Sequence, residues 1–248
     1  MTRPARIKRM LAMIVAGGSF TLGLAGAQPA LSAPSEFGAG LVITPLRVEI
    51  DDTTRGATVM LTNTSQRPLP VQTRLFSWAQ AQGKDVYAPS TDMTISPSIS
   101  NIPPGETQIV RVLRMGPATP GEKSYRLIVD QLPDPTLEQS GQAEARIRFT
   151  VPVFLDRSKA APAAFDWRLG ADGIELANTG GSTARIVQIE VKTASGAPVP
   201  VERNSLRYVL GNSTIAWPVG NACSLGAVTI TAQVDGRTVD AQPRSTCG

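Results

Sequence analysis

The sequence predicts an all-β chain built as two immunoglobulin-like β-sandwich domains behind an N-terminal signal peptide. Three observations predict it. From Leu41 onward, valine- and isoleucine-rich runs alternate with period two between clusters of Gly, Pro, Asn and Ser, and no segment holds a long helical period. The length, 248 residues, suits two compact domains at roughly 100 to 200 residues each. A stretch of small residues, Ser158 to Ala164, divides the strand-forming part and reads as a flexible linker. The boundaries are therefore 1–33 for the signal, 34–157 for the first domain and 158–248 for the second.

Met1 to Ala33 has the three parts of a secretory signal. Arg3, Arg6, Lys8 and Arg9 make a basic start, Met10 to Ala27 is apolar, and small residues permit cleavage after Ala27 or after Ala33. A membrane anchor is the alternative. The glycine-broken apolar stretch and the small residues that follow it argue for cleavage and against stable membrane insertion.

In the first domain, strands are expected near Leu41 to Ile50, Ala57 to Asn63, Leu69 to Trp78, Thr107 to Arg114, Lys123 to Leu132 and Ala143 to Leu155. Asn63-Thr64-Ser65 supplies an Asx turn before Pro68, and Pro103-Pro104-Gly105 a tight bend ahead of a strand. The second domain repeats the pattern with Asp166 to Leu169, Gly173 to Ala177, Ala184 to Thr193, Leu206 to Val209, Ser213 to Pro218, Ala227 to Val234 and a terminal segment through Val239. Its Asn178-Thr179-Gly180-Gly181 echoes the Asn63 turn. Trp78, Trp167 and Trp217 are expected in cores or at domain edges rather than on a sugar platform.

Composition removes many functions. With no histidine, the Ser-His-Asp triad, the Cys-His pair, the His-ligated zinc and the imidazole base are all excluded. There is no G-x-S-x-G, no phosphate loop and no metal-ligand spacing, so neither an enzyme, a metal nor a cofactor is expected. The net charge of +4 is matched by the four basic residues of the signal. The rest is near neutral, which speaks against a nucleic-acid partner. In an oxidising compartment the only two cysteines, Cys223 and Cys247, are expected to form one disulfide.

The first domain resembles the periplasmic pilus-assembly chaperones of chaperone-usher systems over most of residues 41 to 157. The resemblance is carried by Ile43-Thr44-Pro45-Leu46-Arg47-Val48, Val59 to Thr64 with Pro70 to Thr73, and Ile95-Ser96-Pro97 with Pro103-Pro104-Gly105 and Gln108 to Val112. It continues through Ser124-Tyr125-Arg126-Leu127 to Gln131-Leu132-Pro133 and Arg148 to Phe154. The Tyr-Arg-Leu sixth strand and the proline in the seventh resemble the archaic or spore-coat-like branch. This resemblance implies an L-shaped pair of domains. It also implies pilin or fimbrial subunits and an outer-membrane usher as partners, and the periplasm as compartment.

The resemblance implies roles for particular residues. Arg47 would anchor the subunit's terminal carboxylate, with an ion pair to Glu49 or Asp51 as the plainer alternative. The family's second, lysine anchor falls on Pro152, so Arg148 is the nearest same-face candidate. Ala143, Ala145, Ile147 and Phe149 share one face of a period-two strand and would be donated into the groove of an incomplete subunit. Packing of that face on the chain's own core is the alternative. Ser96 and Arg111 align with usher-docking positions and Glu122 with an acidic residue near the domain interface; separately, Asp156 or Arg157, one alignment step apart, would contribute to an interdomain salt bridge. An exported adhesive or structural β-module is the rival reading, because fold alone does not decide function.

Overall fold

The computed structural model describes residues 40–118, 120–133, 146–201 and 206–247. The signal peptide, Ala143 and Ala145 lie outside the described residues. Among those described, nineteen strands form four sheets.

The expected strand from Leu41 to Ile50 is two strands. Leu41 and Ile43 are odd-numbered and Val48 and Ile50 even, yet all four are buried; one flat strand would send the two pairs to opposite faces. Pro45, lacking an N–H, ends the first ladder. The chain then changes sheet: β1 (Leu41–Thr44) pairs antiparallel with β3 (Gly56–Asn63), and β2 (Val48–Ile50) pairs parallel with β10 (Arg148–Leu155).

One sheet of this half continues from β3 to β8 (Thr107–Arg114) and β6 (Met93–Ser96). The other runs β2, β10, β9 (Lys123–Gln131), β4 (Leu69–Ala81) and β5 (Lys84–Pro89), with β7 (Ile99–Ile102) also on β4. Val59, Leu61, Val110, Val112, Leu127, Val129 and Val153 fill the space between the sheets. Strands β5, β6 and β7 were not expected. β5 is exposed at every position and so shows no apolar alternation, while β6 and β7 have four residues each and are separated by Pro97. Gln82 and Gly83, both at positive φ, make the two-residue turn between β4 and β5.

In the second half, β16 (Ser213–Pro218), β12 (Gly173–Asn178), β11 (Phe165–Gly170) and β19 (Arg244–Ser245) form one sheet. The other contains β14 (Pro198–Val199), β13 (Ala184–Thr193), β17 (Val228–Val234) and β18 (Arg237–Ala241), with β15 (Arg207–Val209) also on β13. Trp167 and Trp217 stack in its core with ring centroids 5.7 Å apart. Cys223 and Cys247 are disulfide-bonded, as expected.

The two Asn-led turns use one device. Asn63 and Asn178 are buried at strand ends, and each Oδ1 accepts from a backbone N–H two residues on, Ser65 or Gly180. Each Nδ2 donates to the carbonyl four residues on, Arg67 or Ser182, and to a neighbouring segment at Ile102 or Leu210.

Ser158 to Ala164 is not a free tether. Ala161 O accepts from the N–H groups of Gly181 and Ser182, and Ala164 O accepts from that of Thr179, so the segment is laid against the second Asn turn. A Cβ at Gly180 would stand 2.0 Å from Pro162 O, and only glycine permits this approach.

Candidate functional site

The sheet containing β10 turns its outer face toward the second half, and the strand register decides which side chains meet there. Val48 is opposite Val153, so Arg47 stands level with Pro152; Pro152 is opposite Arg126, and Arg126 opposite Phe76. The next row on that face holds Glu49, Phe154, Ser124 and Trp78. At about 4.8 Å between strands, Arg47 and Arg126 flank Pro152 with their Cα atoms about 10 Å apart.

Phe154 and Trp78 meet Tyr208 and Leu210 of the second half in a small buried cluster. The Tyr208 ring lies 5.6 Å from Trp78 and 6.1 Å from Phe154. Gln80 closes the junction as a strand would: its Nε2 donates to Tyr208 O at 2.8 Å, and its Oε1 accepts from Leu210 N at 3.0 Å. Glu122, 1% exposed, accepts from Arg157 Nη1 at 2.6 Å and from both the N–H and the hydroxyl of Thr183. Arg157 and Glu122 both belong to the first half, and the contact across is the one between Glu122 and Thr183. Asp156 is fully buried and pairs with Arg114 inside the first half, whereas Arg157 reaches the junction.

Arg47 spans the two halves. It pairs with Glu49, lies 3.9 Å from Asp235 Oδ1 in the turn between β17 and β18, and rests its guanidinium 4.9 Å from the centre of the Phe154 ring. The ion pair with Glu49 weighed from sequence is thus present. Arg157 approaches the same Phe154 ring and Glu49 from the other side.

Arg126 was not singled out from sequence. It is 9% exposed, with its guanidinium 3.6 Å from the Trp78 ring centre and 5.1 Å from that of Tyr208. Among the described residues no carboxylate makes a salt bridge to it, and its Nε has no hydrogen-bond partner. Burial lowers its pKa, opposed by the Tyr87 hydroxyl and the charge of Asp85. A cation so buried without a carboxylate is costly, and aromatic faces offset only part of that. The sequence signal was available: one arginine between Tyr125 and Leu127, in a strand too apolar to be an edge.

Arg148 is not part of this row. It lies four residues from Pro152 along β10, about 13 Å away at about 3.3 Å per residue, and donates through Nε to Asp130, which also accepts from Arg74 at 2.6 Å. Burial raises the Asp130 pKa, but the hydrogen bonds from Arg148 and Arg74 outweigh it and hold the carboxyl below its usual value. The structure therefore does not bring Arg47 and Arg148 to one carboxylate.

Among the described residues, no strand pairs with the outer edge of β10 before Val153. Gln131 N donates to Ile147 O, which makes the odd-numbered residues the ones hydrogen-bonded to β9. The amide groups of Arg148 and Thr150 point the other way, where β2 gives cover only from Val153. Phe149 packs on the domain's own core and Ile147 is half-buried at its rim. Ser96 and Arg111 are cross-strand partners on β6 and β8, two residues from the half-exposed pair Met60 and Ile109 on the same sheet.

The described residues form two immunoglobulin-like sheet pairs whose junction Arg47, Arg126 and Arg157 approach. Residues 40–158 match, and belong to, the pili and flagellar-assembly chaperone family, PapD N-terminal domain. No curated protein matches it. Among solved structures it is similar to the chaperone–tip adhesion subunit pre-assembly complex CsuC–CsuE from archaic chaperone-usher Csu pili of Acinetobacter baumannii. The identity is 23% and the TM-score 0.66, covering 84% of this chain and 100% of that one. The Pseudomonas aeruginosa CupB2 chaperone matches at 14% identity and TM-score 0.58, covering 82% and 100%. The E. coli chaperone DraB matches at 15% and 0.56, covering 83% and 96%. These likenesses show the fold. No helix among the described residues is long and apolar enough to cross a membrane.

Proposed function

We propose that the chain is a periplasmic chaperone that binds pilin or fimbrial subunits by lending them β10, and delivers them to an outer-membrane usher. A subunit lacking one strand has an apolar groove and unpaired backbone groups, and strand donation repairs both. The observation that carries the reading is the edge of β10, unpaired among the described residues up to the row of Arg47, Pro152 and Arg126. A guest strand beside β10 shares the lane of β2 and stops where β2 begins. Arg47 at that stop, and less directly Arg126 on the far side of β10, favour a chain end that carries a carboxylate, and this selects a guest running parallel to β10. Ser96 and Arg111, beside exposed Met60 and Ile109, offer a mixed polar and apolar face for the usher.

The test is co-purification of a candidate subunit from the periplasm with wild type, Arg47→Ala and Arg126→Ala at matched soluble, disulfide-bonded protein. Losing one charge-assisted bond to the carboxylate, about 1.5 to 3 kcal/mol, weakens the complex roughly tenfold to a hundredfold. Unchanged complexes in both variants would remove the anchoring role. Failure of wild type to retain any subunit would leave the adhesive-module reading ahead.

A further inference from the structure

Arg148 is held in an unusual way for an exposed strand residue. Its side chain is 62% exposed, yet its Nε is fixed on Asp130, whose other oxygen is fixed on Arg74. Its two Nη groups have no partner among the described residues. Asp130 thus orients the guanidinium and leaves its outer fork free, and the cluster of two arginines and one carboxylate keeps a net positive charge. The amide groups of residue 148 itself point to the open edge of β10.

A strand lying along that edge would place one side chain directly opposite Arg148 on the outer face, within about 5 Å between Cβ atoms. With the guest's terminal carboxylate at the row of Arg47 and Pro152, that side chain is about three to four residues before the guest's C-terminus. We propose that Arg148 is a specificity residue that reads an acidic side chain at this position of the guest strand, and that it does not bind the terminal carboxylate. The free fork matches a carboxylate with two parallel hydrogen bonds, whereas a Lys or Arg opposite it repels. The inference rests on the strand-donation reading above.

The experiment uses the full-length chaperone co-expressed with a co-purifying subunit whose last strand is varied one position at a time, complexes being recovered and their subunits sequenced. With wild type, Asp and Glu are enriched at a single position near the C-terminus, roughly threefold or more over neutral residues. Arg148→Glu reverses the preference at that same position to Lys and Arg, and Arg148→Ala removes it. Matched melting curves for the three chaperones check that folding is unaffected. Recovery of complexes with a preference that ignores the charge at residue 148 overturns this assignment and leaves the Arg47 anchor standing. Recovery of no subunit by wild type overturns both.

Discussion

Tyr208→Ala should uncouple the two halves of the molecule. Tyr208 is the one ring that the second half contributes to the cluster with Trp78 and Phe154, and it is 9% exposed. A tyrosine buries roughly 150 to 200 Å2, worth about 4 kcal/mol at about 25 cal/mol per Å2. The variant also takes away one of two aromatic faces from Arg126, whose charge has no salt-bridged carboxylate among the described residues. A loss of about 3 to 5 kcal/mol is expected, read by guanidinium unfolding followed with tryptophan fluorescence. Because the loss falls on the junction, a second transition should appear as the halves unfold separately. Tyr208→Phe keeps the ring, and the backbone carbonyl that Gln80 uses is untouched, so it should stay within about 0.5 kcal/mol of wild type. A single transition in Tyr208→Ala shifted by under about 1 kcal/mol would refute the idea that this cluster fixes the junction.

Cys247→Ser should cost about 3 kcal/mol, the closure entropy of a 24-residue separation, and reductant should lower the wild-type melting temperature by the same amount; an unmoved melting temperature would show that β19 alone holds the tail. Gly180→Ala should destabilise by about 2 kcal/mol or more, since its Cβ would press on Pro162 O and Ala163 Cα, whereas Gly116→Ala, with nothing within 4 Å, should be near neutral. Asp92 gives an acid dependence: burial raises its pKa, but hydrogen bonds from Lys123 and Tyr125 hold it below its ordinary 3.8. A carboxyl with a depressed folded pKa stabilises fully above the unfolded value and loses that contribution as pH falls through the folded one. With no histidine to titrate, melting temperature should be flat from about pH 8 to 5 and fall below about 4. Asp92→Asn should lower it at neutral pH and shallow the acid limb, and an acid limb unchanged by the substitution would count against Asp92.

How much of this was legible depends on whether a contact is local or distant. β8, β13 and β16 have the bounds their alternation predicts, because buried and exposed positions alternate along most of each, broken in β13 by the bulge at Val187 and Gln188. β5 has no such contrast, being exposed throughout, and was invisible for that reason. The break at Pro45 was readable in principle, since buried positions switch from odd to even across it. The junction was not. Gln80 and Tyr208 are 128 residues apart, and nothing in either neighbourhood announces the other. Arg126 falls between these cases: its neighbours mark a buried strand, but only the fold reveals that its guanidinium lies over aromatic rings and not in a salt bridge. The linker misled through composition, because small residues that suggest flexibility are also what close packing against Gly180 requires.

The proline that displaces the family's expected lysine fits the proposed site once the register is followed. At position 152 the backbone nitrogen faces the open edge, away from β9, so Pro152 deletes a donor that a guest strand would otherwise have used. The last donor along the open edge is then Thr150. A guest continuing past it would leave a carbonyl unpaired in a part-buried site, at a cost of about 1 to 3 kcal/mol. A guest ending there has no such carbonyl to satisfy, only a carboxylate, and Arg47 stands beside that point with Arg126 beyond Pro152. On this reading the proline and the two arginines act together: one penalises a strand that runs on, and the others reward one that stops. Pro152→Lys adds a donor and a charge at once. It should strengthen binding of a subunit with its natural C-terminus and also permit one extended by extra residues, which the wild type should reject. Equal rejection of the extended subunit by both would show that cleft sterics, and not the missing donor, set where the guest ends.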